Sequence, residues 1–228
     1  MQLRRLGRTG LKVSALALGS RALDARAWYR PDLDEAANAM ALGLEAGVNA
    51  ITTSPAHGDA EGLVGDVLRR TGRAADVLIL STLEPLVPQP LPSPHYHAND
   101  VYPGRHIRAS TEASLKALGV ERLGLQQLPA WCPEWSREGD WLETFHRLKD
   151  EGKIAGFGVA PFDHDPGAAL AVVDAGLVDS VQVMFNLFDP EASADLFPLC
   201  MERDVGVVAR SPLYAGALTP KILADDPF

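Results

Sequence analysis

The stretch "VNAITTSPAHGDAEGLVGDVLRR" (48–70) decides the fold. Residues 48–52 form a short, largely apolar run with β-branched side chains, which fits a pleated strand. Pro55 and Gly58 then punctuate a turn. From Ala60 onward, Leu63, Val64, Val67 and Leu68 recur at helical spacing. One strand, one turn and one helix make a βα unit. Outward from it the unit repeats. "VSALALG" (13–19), "DVLILST" (76–82), "RLGLQQL" (122–128), "IAGFGVA" (154–160), "SVQVMFN" (180–186) and "VGVVAR" (205–210) read as further strands. Helical patterns over 34–47, 60–70, 105–119, 140–152, 167–176 and 191–204 separate them. The run at 76–82 is apolar without alternation, as in a strand covered on both faces. Seven strands joined by helices predict a parallel sheet. So many units in one chain favour a TIM-type (β/α) barrel, shortened to about seven units, over a doubly wound sheet. No Gly-x-Gly-x-x-Gly follows the first strand, which weighs against a dinucleotide-binding Rossmann domain. A single domain over 1–228 is the expected organisation.

Bulk properties narrow the function classes. The net charge of −9 comes with no basic cluster, so nucleic-acid binding is not expected. The longest apolar runs are far too short to cross a bilayer, and no apolar segment follows the arginines of "MQLRRLGRTG". Membrane association and export are therefore not expected, and the cytoplasm is the default location. Cys132 and Cys200 have neither metal-ligand spacing nor a disulfide framework. "HYH" (95–97) places two imidazoles at alternate positions but has no third ligand nearby, so no metal is expected. One segment breaks the rhythm: residues 84–104 hold six prolines and join the third strand to its helix. A connection of that length is a lid or a surface excursion.

Together these residues resemble the aldo-keto reductases. "RRLGRTGLKVSALALGS" is similar to that family's N-terminal hairpin and first barrel strand, and "EAGVNAITTSPAHGDAEGLVGDVL" to its second strand and following helix. "IRASTEASLKALGVERLGLQQL", "GKIAGFGVAPF", "VQVMFNLFD" and "VGVVARSPLYAGAL" continue the match in order. The resemblance implies a barrel with an N-terminal β-hairpin and NADPH-dependent carbonyl reduction by an Asp, Tyr, Lys and His. At those four positions this chain has Thr52, His57, Leu83 and Pro129. The family's Ser-Asn pair that holds the nicotinamide amide corresponds to Ala160-Pro161, and its stacking aromatic to Arg210. Of that cluster only Gln182 stays. At about 1–3 kcal/mol for each missing group, the losses predict no productive NADPH binding.

The barrel's C-terminal mouth is where this fold places chemistry. His57 is the first catalytic candidate, because an imidazole titrates near neutral pH; the alternative is a histidine that fills volume and bonds locally. Arg210, at a strand end, can bind a substrate carboxylate or enolate, or pair with Glu84. Glu84 is a third candidate, or else a solvated loop acid. Thr52, Trp131, Gln182, Asn186 and Arg21 are candidate substrate contacts, with Trp131 equally explained by packing. Cys132 has no neighbouring base to activate it. The leading expectation is a cofactor-independent enzyme that dehydrates, isomerises or cyclises a small molecule, without bound cofactor. A non-catalytic barrel that binds a ligand or a partner stays open, as does residual NADPH-dependent oxidoreductase activity. With no eighth strand evident, the edges at 13–19 and 205–210 would face each other across a gap. Either a second copy covers it, giving a homo-oligomer, or residues 218–228 plug it.

Overall fold

The computed structural model describes residues 1–25, 32–87 and 95–219. Most of 218–228, and the centre of the proline-rich connection, lie outside these. The chain opens with an antiparallel hairpin of β1 (Leu3–Arg5) and β2 (Lys12–Ser14), with Leu3 opposite Ser14 and Arg5 opposite Lys12. Among the described residues seven strands follow: β3 (Leu18–Gly19), β4 (Ala50–Thr53), β5 (Leu78–Thr82), β6 (Leu123–Pro129), β7 (Ile154–Ala160), β8 (Ser180–Met184) and β9 (Gly206–Arg210). They form one sheet in chain order, every neighbouring pair parallel. The helices are α1 (Leu33–Glu45), α2 (Ala60–Thr71), α3 (Ala98–Val101), α4 (Gly104–Leu118), α5 (Trp141–Asp150), α6 (Leu170–Asp174) and α7 (Leu196–Glu202). The expected TIM-type architecture and hairpin are both present. No helix among the described residues is long and apolar enough to cross a membrane.

Local chemistry explains the element ends. The Asp32 side chain accepts from the Glu35 amide and caps α1, and Gly72 and Gly119 stop α2 and α4 in the left-handed conformation. The strand expected over 13–19 divides in two. Asn49 Oδ1 accepts from the Ser14 amide at 2.7 Å and Gln2 O from the Ala15 amide at 2.9 Å, so the hairpin holds the first half. Only Leu18 and Gly19 pair with β4. The last two helices are shorter than their patterns. Pro166 opens a 3-10 turn, Pro166–Ala169, before α6, and Pro198 has no N–H to donate backward, which confines it to the first turn of α7.

Strand β7 is buried along its whole length, as its unbroken apolar run demands. Gly158 is required there, because a Cβ would lie 2.1 Å from the Ser180 carbonyl oxygen of β8. At the amino ends of the strands the buried Asp179 carboxylate gathers three donors. Arg8 Nε lies at 3.2 Å, Lys149 Nζ at 3.0 Å and the Phe157 amide at 3.2 Å. This ties the hairpin turn to β7, β8 and α5.

Candidate functional site

At the opposite end, the carboxyl ends of the strands surround a cavity of about 580 Å³. Thr52 and Thr53 of β4, Thr82 of β5, Pro129 of β6, Ala160 of β7, Gln182 of β8 and Arg210 of β9 all line it. Convergence of strand ends is what the fold provides for chemistry, and the volume suits a small ligand.

His57 reaches the cavity because the chain turns sharply after β4. Ser54 caps the short 3-10 turn Pro55–His57 by accepting from the Ala56 amide, and Pro55 supplies the preset φ. The His57 Nδ1 lies 3.0 Å from Ser20 Oγ, and Ser20 Oγ lies 2.9 Å from Thr53 Oγ1. Ser20 and Thr53 are buried, so this hydrogen-bonded chain holds one edge of the half-buried ring in place. Ser20 and Thr53 carry no catalytic motif, and sequence reading missed them both. The one available signal was that Ser20 directly follows a barrel strand.

Arg210 does not pair with Glu84. Its Nη2 lies 2.5 Å from Asp163 Oδ1 and 3.2 Å from the Pro161 carbonyl oxygen, while its Nε is buried without a partner among the described residues. Glu84 is exposed and outside the cavity lining. Among the described residues its backbone oxygen is engaged, accepting from His106 Nε2. Gln182 Oε1 is likewise buried and unpartnered. Thr52 bonds weakly to the Leu18 carbonyl, 3.4 Å away, and Arg21 lines the rim.

Two candidate substrate contacts fall elsewhere. Trp131 is fully buried and packs edge-to-face on Trp135 and Trp141, with ring centroids at 6.0 and 5.2 Å. Packing, not a substrate wall, accounts for it. Asn186 braces a loop: its Oδ1 accepts from the Phe188 and Asp189 amides, and its Nδ2 donates to the Ser211 carbonyl. Burial, with the Glu134 carboxylate beside it, pushes the Cys132 thiol up to about 11, so it stays protonated. His97 caps α3 and lies 3.2 Å from Glu138, and no cluster of metal-ligating side chains forms among the described residues.

Comparison with known proteins follows the same outline. The aldo-keto reductase YhdN of Bacillus subtilis (strain 168) is 26% identical over 227 residues, covering 96% of this chain and 64% of the relative. The methylglyoxal reductase YeaE of Escherichia coli (strain K12) is 30% identical over 189 residues, covering 81% of this chain and 60% of the relative. The chain thus spans less than two thirds of the length of each. A solved aldo/keto reductase from Klebsiella pneumoniae, in complex with NADP and acetate, superposes with a TM-score of 0.69 at 25% identity, covering 98% of this chain and 73% of that one.

These relatives overturn two expectations. Named reductases and an NADP complex speak against a cofactor-independent lyase, isomerase or cyclase, and against a mouth that needs no nicotinamide cofactor. The cofactor-free expectation rested on the missing nicotinamide contacts at Ala160, Pro161 and Arg210, and the reductases and the NADP complex among the relatives weigh against it. The aldo/keto reductase family model matches residues 15–228, and the chain belongs to that family.

Proposed function

We propose that this chain is an NADP(H)-dependent oxidoreductase that interconverts a small carbonyl compound and its alcohol at the barrel mouth. The observation that carries the reading is the buried, unpartnered Gln182 Oε1 in the cavity lining. A buried acceptor without a donor costs about 1–3 kcal/mol, and a carboxamide N–H is the donor that would relieve it. The residues fit the nicotinamide end at this one point, since Ala160 and Pro161 offer no side-chain donor beside it. The reductases and the NADP complex among the relatives support the same reading.

When bound, the cofactor supplies hydride to the carbonyl carbon. Gln182 holds the carboxamide. His57 lies in the same cavity and gives the proton to the carbonyl oxygen, with Ser20 holding Nδ1 so that ring orientation and tautomer are set together. The apolar walls, among them Leu83, Pro129 and Phe162, limit water around the developing charge. Cytoplasmic residence belongs to this reading, and two free, buried cysteines are compatible with a reducing compartment.

Fluorescence titration with NADPH tests the proposal. Wild type should bind saturably, and Gln182→Leu should bind about tenfold or more weakly. Absence of wild-type binding at millimolar nucleotide would overturn it.

A further inference from the structure

Thr82 of β5 lines the mouth cavity, so its neighbour Ser81 points the other way, toward the helices. On that side four elements bury polar side chains that stay unanswered. Glu61 of α2, Ser81, Ser114 of α4 and Gln126 of β6 are each more than nine-tenths buried. Glu61 Oε1, both serine hydroxyls and one amide atom of Gln126 have no partner among the described residues. Ser81 and Gln126 are register partners on neighbouring strands, and both serines lie against the Glu61 carboxyl. Thr111, one turn before Ser114, donates its hydroxyl proton to the Ile107 carbonyl at 2.8 Å. At the Gln126 carboxamide, 3.5 Å away, Thr111 can then only accept. The amide nitrogen of Gln126 therefore faces Thr111, and its oxygen takes the unanswered position. Four oxygens thus share one buried layer: a carboxylate, two hydroxyls and a carboxamide.

No Lys, Arg or His is paired with Glu61 among the described residues. A buried carboxylate without a counterion is costly, and buried charges are paired or coordinate metals. We infer that this layer between α2, α4 and the sheet binds a monovalent alkali cation, sodium or potassium. One positive charge answers the one carboxylate, and the neutral oxygens replace part of the ion's hydration shell. A divalent or transition ion matches poorly, since no group of three His, Cys, Asp or Glu forms among the described residues. A water molecule would answer the lone pairs and leave the charge. The way in is a groove of about 320 Å³ lined by Glu61, Gly58, Gly62 and Ser110, with the exposed carboxylate of Asp59 beside it. Where no alkali ion is present, a proton meets the same need at Glu61. The site lies on the other face of the sheet from the mouth and does not depend on the oxidoreductase reading.

Thermal unfolding near pH 8 tests this, in sodium or potassium chloride and, at equal ionic strength, in tetramethylammonium chloride, whose cation is too bulky to enter. With the alkali ion at about tenfold over its dissociation constant, the wild-type Tm should stand roughly 3–6 °C above that in tetramethylammonium. Each variant is compared only with itself in the two salts, so its own stability drops out. Glu61→Gln should abolish the difference between salts. Ser114→Ala should keep it but need severalfold more alkali ion to reach it; this arm decides the matter if Glu61→Gln fails to fold. Equal wild-type Tm in the two salts would mean that water alone fills the layer and would overturn the inference. So would a difference that survives in Glu61→Gln, or an unchanged concentration dependence in Ser114→Ala.

Discussion

Two buried polar clusters at opposite ends of this barrel are met in opposite ways. At the amino ends of the strands, the Asp179 carboxylate is met by Arg8, Lys149 and the Phe157 amide, and Arg8 Nη2 also donates to the Gly176 and Val178 carbonyls. At the carboxyl ends, Gln182 Oε1 and Arg210 Nε are buried and unanswered among the described residues. A satisfied buried charge holds elements in register, whereas an unsatisfied buried polar group is a standing cost that a ligand or an ordered water can remove. The comparison separates a stability end from a chemistry end within one sheet, as the fold does generally.

That separation can be broken from either side. The largest effect belongs at the mouth. His57→Ala should lower kcat for carbonyl reduction at least about a hundredfold, while the thermal unfolding curve stays within a degree or two of wild type. Steady-state kinetics with calorimetry checks both, and unchanged kcat would remove His57 from proton transfer. Next is the base. Asp179→Ala strips a carboxylate from two cations and an amide, and should cost about 2 kcal/mol, or a Tm lower by roughly 4–8 °C for a chain of this size. NADPH affinity and kcat should not move at temperatures where the variant is folded. A variant that loses activity there without loss of stability would erase the distinction between the two ends.

How far the sequence foretold these ends follows from the range of each interaction. The βα unit at 48–70 was readable because its strand, turn and cap residues are neighbours in the chain. Strand β7 was readable because burial on both faces leaves an unbroken apolar run. The split of the first strand was not, since it depends on Asn49 reaching Ser14 from 35 positions away. The site divides in the same manner. His57 and Arg210 stood out by residue type at strand ends. Their partners Ser20 and Asp163 did not, because a serine 37 positions from His57 and an aspartate beyond a different strand carry no local pattern. Trp131 fitted both packing and a substrate wall as a sequence, and only its full burial among other rings decides between them. Charge misled at Glu84, where an acid at a strand end stays exposed and never enters the cavity.

A third case, a buried carboxyl on the helix that follows β4, gives the smallest predicted effect. Glu61, on the first turn of α2, is buried, and burial pushes its carboxyl above the ordinary carboxylate range, with Ser114 and Ser81 opposing the shift. Its Oε1 and the hydroxyls of both serines lack partners of good geometry, so the opposition is incomplete. The folded state therefore prefers the protonated acid more than the unfolded state does. Stability from this group is fully present below the unfolded value of 4.5 and is lost as pH rises through the higher folded value. Glu61→Gln has no proton to lose. The variant should match wild type near pH 4 and exceed it in Tm by a growing margin toward pH 8. The carboxylates of Glu112, Glu151 and Asp204, lowered by their Lys and Arg partners, act in the reverse sense but equally in both proteins, so they cancel in the difference. Parallel Tm-versus-pH curves would show that water or the serines already answer the Glu61 charge, which would move this group to the satisfied, structural side of the comparison.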